Sequence, residues 1–154
     1  MGNELGHELY ESIYDKNYDY TFKLLLVGES GIGKTFLLYK FTDNINDTNI
    51  SQTIGISYKS KNIELENLKI KLKIFDAPGL QQLRNFANNL YPGTNGVLLI
   101  YDVSNKLSFE AIPNWFKMAR ENTQKDCCVF LVGSKCDIEN RVISEEEGKN
   151  FLIN

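Results

Sequence analysis

The amino-acid sequence predicts an α/β fold, a three-layer sandwich with a mostly parallel sheet and one antiparallel edge hairpin. Two observations lead to this prediction. Continuous apolar runs, which suit strands buried on both faces, alternate along the chain with segments of helical periodicity. One pair of apolar segments is instead separated by a short polar turn, which is typical of a hairpin. The length of 154 residues and the hydrophobic content of 42% fit one domain with a buried core.

The first half of the chain is predicted to begin with a strand and a helix. Residues 22–27 are apolar apart from Lys23, so they suit a buried strand. A glycine-rich segment follows, and residues 36–41 then fit a short helix. Residues 42–53 are rich in Asp, Asn and Thr and are therefore expected to form a loop.

Two further strands are expected to pair as a hairpin. Residues 56–66 and 69–75 both have strand-like patterns, and in the second of them Lys alternates with Ile or Leu at a period of two. The hairpin turn is predicted at residues 66–68. This pair supplies the antiparallel edge of the predicted sheet.

The second half of the chain alternates helices and strands. Its predicted elements are a weak helix over 81–90, a strand over 97–101, a helix over 108–122, a strand over 127–132 and a final helix. Pro113 is expected to open the main part of the 108–122 helix, because proline is tolerated in a first helical turn but not in a helix interior. Ser144 followed by Glu147 predicts a capping box at the start of the last helix.

Composition and charge exclude several classes of protein. The net charge of −3 leaves no basic footprint for nucleic acid, and no run approaches the roughly 20 apolar residues of a membrane span. Residues 1–20 are acidic and contain no apolar core, so they do not resemble a secretion signal. The cysteines, which are Cys127, Cys128 and Cys136, are expected to be reduced thiols of a cytoplasmic protein.

Two regions of the chain are expected to differ in organisation. Residues 1–20 are interpreted as an acidic, frayed arm, and residues 21–154 as the domain. A short helix with Leu5, Leu9 and Ile13 on one face is the alternative reading of the arm.

The most specific motif lies between the first strand and the first helix. Residues 28–35 read Gly-Glu-Ser-Gly-Ile-Gly-Lys-Thr and fit the pattern G-x-x-x-x-G-K-[ST] of a phosphate-binding loop, which predicts a fold of the P-loop NTPase type. Glycines let the backbone wrap a phosphate chain, and the helix N-terminus behind them favours an anion. Lys34 is expected to neutralise the β and γ phosphates, and the Thr35 hydroxyl to bind Mg²⁺. The residues expected to contact the nucleotide here are Ser30, Gly31, Ile32, Gly33, Lys34, Thr35 and Phe36.

Two later segments complete the predicted site. Asp76 follows a predicted strand, at a position that is suitable for a second metal ligand. Gly79, three residues later, would let a backbone N–H approach the γ-phosphate. A segment after another strand is expected to bind the base through Ser134, Lys135 and Asp137. The Asp137 carboxylate can accept two hydrogen bonds from guanine N1 and N2, a pair of donors that adenine does not offer.

Together these segments resemble the Ras-like small GTPases, and the Rab branch most closely. The resemblance extends over residues 21–154 in one ordered series. The segments that carry it are residues 28–35, 53–56, 76–79, 96–104, 108–110, 114–115, 133–137 and 145–151. It implies GTP or GDP as the ligand, Mg²⁺ as the cofactor, and two switch loops that order around the γ-phosphate and relax after hydrolysis. It also implies effector and regulator proteins that contact those switches.

The resemblance also assigns roles to single residues. Thr53 matches the threonine of the first switch, which spans residues 42–55, and the second switch spans about 77–92. The implied metal ligands are Thr35, Thr53 and Asp76. The implied catalytic residues are Lys34, Thr53 and Gly79.

Three positions depart from the family's pattern. Leu80 stands where the family has a water-orienting Gln, so intrinsic hydrolysis is expected to be slow; Gln81, one position later, is an alternative for that role through a local slip. Ser134 stands where the base-binding motif opens with Asn, and it is expected to make fewer hydrogen bonds. Asn46 stands where an aromatic residue stacks against guanine, so that contact is expected to be lost.

The family's pattern continues beyond the part that matches here, with a further strand, a base-contacting loop, a long helix and a prenylated tail. The sequence ends at Asn154 without them. Two explanations are open, namely that the chain is a fragment of a longer protein, or that a partner or an additional domain covers the gap. We expect the first explanation, that the chain is a fragment of a longer protein. No direct membrane anchor is expected in this chain.

Three functions are compatible with these observations. The preferred one is a GTP-binding switch of the Rab type with weak intrinsic hydrolysis, acting in vesicle trafficking and reaching membranes through parts or partners outside this chain. The alternative is a pseudo-GTPase interaction module with little or no turnover. A P-loop ATPase or small-molecule kinase is the third, and Lys135 with Asp137 argues against it.

Overall fold

The computed structural model describes residues 17–44, 56–79 and 88–153, and in this part of the chain five strands form one sheet. The strands are β1 (Tyr20–Val27), β2 (Ser57–Leu65), β3 (Leu68–Asp76), β4 (Gly96–Asp102) and β5 (Cys128–Ser134). Their order across the sheet is β2-β3-β1-β4-β5, with β2 antiparallel to β3 and the other neighbours parallel. The predicted mostly parallel sheet with one antiparallel edge hairpin is therefore confirmed.

Helices cover both faces of this sheet. The helices of the described residues are α1 (Lys34–Asp43), α2 (Lys106–Glu110), α3 (Ile112–Asn122) and α4 (Glu145–Ile153). Leu38 of α1 packs in one core cluster, and Ile112 of α3 and Phe151 of α4 pack in the other. The two clusters lie on opposite faces of the sheet, so the structure has the three layers that the sequence predicts.

The strand β1 shows why the sequence pattern is a continuous apolar run. Leu25 and Val27 are fully buried and belong to the cluster with α3, whereas Leu26 belongs to the cluster with α1. Alternate residues of a strand point to opposite faces, so a strand between two helical layers needs apolar residues at every position.

The hairpin between β2 and β3 has a two-residue turn. Glu66 and Asn67 both have positive φ, at 51° and 66°, and Leu65 pairs directly with Leu68. Two successive left-handed residues are the conformation that matches the right-handed twist of the flanking strands. The predicted hairpin is confirmed, with β3 beginning at Leu68, one residue earlier than predicted.

Two predictions about helix starts are also confirmed. Pro113 lies in the first turn of α3, which follows the separate short helix α2. Ser144 and Glu147 form the predicted capping box: the Glu147 N–H donates to Ser144 Oγ at 3.1 Å, and the Ser144 N–H donates to Glu147 Oε2 at 2.8 Å. Of the predicted helix over 81–90, residues 81–87 lie outside the described residues, and Asn88–Leu90 form a 3₁₀ turn. Among the described residues, each helix is too short or too polar to cross a bilayer.

Candidate functional site

The candidate site lies at the carboxyl edge of the sheet. Because β1, β3, β4 and β5 run parallel, their carboxyl ends meet at one edge, which is where open α/β sheets bind ligands. The loop after β1 lies at this edge. Beside it are Asp76, Asp102 and Ser134, which end β3, β4 and β5 respectively. Segments that are distant in the sequence, three of which contain predicted site residues, are thus brought together.

The loop between β1 and α1 has a conformation that depends on glycine. Gly28, Gly31 and Gly33 have φ values of 144°, 76° and 97°, a region that other residues rarely adopt. At Gly28 a Cβ atom would also lie 2.2 Å from the carbonyl oxygen of Ile100, which excludes any side chain. Gly33 caps α1, so the loop leads directly into a helix N-terminus, where free N–H groups favour an anion.

Lys34, the first residue of α1, lies buried under this loop. Its ammonium Nζ donates hydrogen bonds to the carbonyl oxygens of Gly28, at 3.0 Å, and Glu29, at 2.6 Å. Burial lowers the pKa of Lys34, and the negative charges of Asp76 and Glu29 oppose this effect. The Lys34 Nζ is therefore held by two carbonyl oxygens against the inner side of the loop that would receive phosphates.

Thr35 and Asp76 join α1 to the end of β3. The Thr35 hydroxyl donates a hydrogen bond to Asp76 Oδ2, and the Asp76 side chain is fully buried. The other carboxylate oxygen, Oδ1, has no hydrogen-bond partner among the described residues. Burial raises the pKa of Asp76, opposed by the hydrogen bond from Thr35 and the charge of Lys34.

This pair fits a hard divalent cation. A buried carboxylate oxygen without a partner is costly, and a bound cation would satisfy it. Hydroxyl and carboxylate oxygens are ligands that Mg²⁺ accepts while it keeps waters and substrate phosphates in its other positions. The third expected ligand, Thr53, lies outside the described residues. No cluster of three His, Cys, Asp or Glu side chains that could hold a metal ion occurs in the described part of the chain.

Gly79 packs directly against the phosphate loop. A Cβ atom at this position would lie 2.4 Å from both the Glu29 carbonyl carbon and the Ser30 nitrogen. Since these are backbone atoms, a side chain at residue 79 would force one of the two segments to move. The segment after β3 and the loop after β1 therefore lie so close together that no side chain fits at residue 79.

Ser134 and Lys135 connect the segment after β5 to the phosphate loop. The Ser134 hydroxyl donates to the Ile32 carbonyl oxygen at 2.5 Å, and the carbonyl oxygen of Tyr101 lies 2.9 Å from the same Oγ. Lys135, with a φ of 57°, places its Nζ 3.1 Å from the carbonyl oxygen of Gly31. The sequence-based interpretation expected fewer bonds from serine than from asparagine; the serine nonetheless reaches the phosphate loop.

Asp102 is a site residue to which the sequence reasoning gave no role. Its Oδ2 forms an ion pair with Lys135 Nζ at 2.6 Å, and its Oδ1 accepts hydrogen bonds from the N–H and hydroxyl of Ser104. Burial by itself would raise the pKa of Asp102, but the hydrogen bonds from Lys135 and Ser104 outweigh burial and leave the pKa below its ordinary value. The signal in the sequence was an acid at the end of an apolar strand.

A second missed contact joins the phosphate loop to α3. The Trp115 indole Nε1 donates a 3.0 Å hydrogen bond to Glu29 Oε1. Trp115 is 1% exposed and lies in the core cluster with Ile112 and Ala119, against which Phe116 packs as a partly buried residue. A carboxylate inside a loop that is predicted to bind an anion was the signal that could have indicated a partner for Glu29.

The remaining predicted residues divide into two groups. In the described part, Ile32 is buried, whereas Ser30, Gly31, Phe36 and Asp137 are exposed at the surface of the site. Outside the described residues lie Asn46, Thr53, Leu80, Gln81 and the N-terminal residues 1–16.

Comparisons with known proteins agree with this geometry. Residues 23–153 match the Ras family. The chain is 42% identical over 137 residues to the Ras-related protein Rab-8B of Homo sapiens, a match that covers 88% of this chain and 66% of that protein. It is 42% identical over 135 residues to the Ras-related protein Rab-10 of Caenorhabditis elegans, covering 87% and 67%.

A third relative is the Ras-related protein Rab-8A of Mus musculus, at 39% identity over 137 residues, with 88% of this chain and 66% of that protein covered. The chain thus spans about two thirds of the length of the curated relatives it matches. The family match extends over most of the chain, from β1 to α4, and the relatives named here are all Rab proteins. The chain therefore belongs to the Ras family, in its Rab branch.

Proposed function

We propose that this chain is a GTP-binding molecular switch with weak intrinsic GTP hydrolysis, acting in vesicle trafficking. The observation that carries the proposal is the arrangement at the carboxyl edge of the sheet. A glycine-dependent loop leads into α1, Lys34 is buried beneath it, and Thr35 meets the buried Asp76. A cation, a helix N-terminus and oxygen ligands for a metal are the parts that phosphate binding with Mg²⁺ requires.

In this proposal the phosphates are held by backbone N–H groups of the loop and by Lys34. The residues assigned to nucleotide contacts in this part are Ser30, Gly31, Ile32, Gly33, Lys34, Thr35, Phe36 and Gly79. Guanine is assigned to Ser134, Lys135 and Asp137, and the exposed carboxylate of Asp137 supplies the acceptor pair for guanine N1 and N2. Adenine would leave such a carboxylate unpaired, which disfavours ATP.

The Mg²⁺ ion is assigned to Thr35 and Asp76, with Thr53 as a further ligand. When bound, Mg²⁺ neutralises charge on the phosphates. The unpartnered Asp76 Oδ1 supports this assignment, because a cation at that position would remove the cost of burying it.

Slow hydrolysis is the part of the proposal that rests on Leu80. A leucine side chain cannot donate or accept a hydrogen bond, so it cannot orient the attacking water as the glutamine amide does. Lys34, Thr53 and Gly79 are assigned to transition-state stabilisation, and a partner protein would have to supply an arginine. Effector and regulator proteins are expected to contact the two switch regions, and membrane association is expected to be peripheral.

A titration tests the proposal against its alternatives. Binding of GTP, GDP and ATP to the whole chain is measured with Mg²⁺ at micromolar protein concentration. Preference for guanine nucleotides together with slow phosphate release supports the switch. Guanine-nucleotide binding without turnover would favour the pseudo-GTPase module, preference for ATP would favour an ATPase or kinase, and no guanine-nucleotide binding would exclude the proposed function.

A further inference from the structure

Glu29 in the phosphate loop and Trp115 in α3 are separated by 86 positions in the sequence and meet at the candidate site. The indole N–H of Trp115 donates to the Glu29 carboxylate at 3.0 Å. We propose that these two side chains are a positioning pair that holds the phosphate loop against α3 and thereby slows nucleotide release. The inference rests on the proposed function, since it assigns to the pair a role in retaining the nucleotide.

The first argument is that Glu29 lies at the centre of the loop's contacts. Its carbonyl oxygen accepts the 2.6 Å hydrogen bond from Lys34 Nζ. Its carbonyl carbon also lies within 2.4 Å of the point where a Cβ of Gly79 would be. A displacement of Glu29 would therefore move the acceptor of the phosphate-binding lysine and the surface on which the segment after β3 rests.

The second argument is that Trp115 is itself firmly placed. It is 1% exposed and packs in the core cluster between the sheet and α3, together with the fully buried Ile112 and Ala119. Side chains in such cores occupy well-defined rotamers, because the surrounding atoms are close-packed. The indole N–H is thus a fixed donor at the base of the loop.

The third argument concerns charge. A carboxylate in a loop that receives phosphates would repel them if it pointed toward them. The indole nitrogen can only donate a hydrogen bond, so it binds the carboxylate and directs it to α3. Hydrogen bonds to an ionised acceptor are stronger than neutral ones, which suits a contact that holds the loop in place.

The experiment measures the dissociation rate of a fluorescent GDP analogue from the whole chain with Mg²⁺. Trp115→Phe removes the N–H donor and keeps an aromatic ring, and Glu29→Ala removes the acceptor. Both are expected to release the nucleotide on the order of tenfold faster, the effect of losing one charge-assisted hydrogen bond. Glu29→Gln keeps an oxygen acceptor and should stay within about threefold of the parent chain. The double variant should be no faster than the faster single variant, because both remove the same contact.

A matched control separates positioning from stability. Ile112→Val removes a methylene group from the same core cluster on α3 and leaves both Glu29 and Trp115 in place, so it should lower the melting temperature and leave the release rate unchanged. A second readout uses the fact that Trp115 is the only tryptophan in the sequence. Its fluorescence emission should shift in Glu29→Ala and stay close to that of the parent chain in Glu29→Gln.

The outcomes are distinct. Faster release in Trp115→Phe and Glu29→Ala, rescued by Glu29→Gln, supports the positioning pair. Unchanged release in both variants, or equally fast release in Ile112→Val, overturns it while the proposed function stands. If the unaltered chain binds neither GDP nor GTP, the proposed function is wrong and this inference falls with it.

Discussion

The Ser134 hydroxyl at the end of β5 donates a 2.5 Å hydrogen bond to the Ile32 carbonyl oxygen in the phosphate loop. The two residues are 102 positions apart, and the Tyr101 carbonyl oxygen lies 2.9 Å from the same hydroxyl. A short side chain can make this link because β5 is parallel to β4, which brings Ser134 opposite Asp102, beside Tyr101. The segment assigned to the base and the loop assigned to the phosphates are therefore mechanically connected.

Ser134→Ala should loosen this connection. We expect nucleotide dissociation to become about 3–10-fold faster, the effect of one neutral hydrogen bond, as measured by release of a fluorescent GDP analogue. Ser144→Ala is the control, since it removes the capping hydroxyl of α4 and costs about 1 kcal/mol of stability at a distance from the loop. Equal release rates in the parent chain and Ser134→Ala would contradict the prediction.

Asp102 should make the fold sensitive to acid. Its pKa is held below the ordinary value, so its stabilising contribution is present above the unfolded pKa of about 3.9 and is lost as pH falls through the lower folded value. Asp102→Asn is expected to cost about 1–2 kcal/mol at pH 7, and its difference from the parent chain should shrink below about pH 4. Urea unfolding from pH 3 to 7 measures this, with the exposed Asp126→Asn as control. A difference that stays constant over this range would refute the assignment.

Lys34→Ala should abolish binding of nucleoside triphosphates. The buried ammonium is assigned to the β and γ phosphates, and truncating one partner of a buried charge pair costs enough to lower affinity about 100-fold or more. Calorimetric titration with GTP and Mg²⁺ measures the loss. Lys117→Ala on the exposed surface of α3 serves as the control and should bind as the parent chain does. Retained affinity in Lys34→Ala would rule out the phosphate-loop assignment.

Leu80→Gln should accelerate hydrolysis. A glutamine can orient the attacking water, so we expect single-turnover GTP hydrolysis to become about tenfold faster or more. GTP affinity should change little, because the substitution acts on the water rather than on the bound phosphates. If turnover stays the same while binding is intact, Leu80 is not what limits the rate.

The sequence by itself determined those features of the structure that depend only on residues close together in the chain. The period of two in β3, the proline in the first turn of α3 and the capping box at Ser144 each depend on a few neighbouring residues. The phosphate loop is equally local, because its glycines supply positive φ and Lys34 follows within the same segment. These features were predictable because no distant residue is needed to form them.

Tertiary structure alone decided the contacts between segments. Strand order is not encoded in local periodicity. The parallel direction of β3, β1, β4 and β5 brings Asp76, Asp102 and Ser134 to one edge, and their order places Asp102 beside Ser134. The ion pair between Asp102 and Lys135 and the bond between Trp115 and Glu29 follow from that order. Their residues appeared in the sequence as a strand-end acid, a turn lysine, a helical aromatic and a loop acid. Packing of β4, β5 and α3 around β1 made them parts of one site.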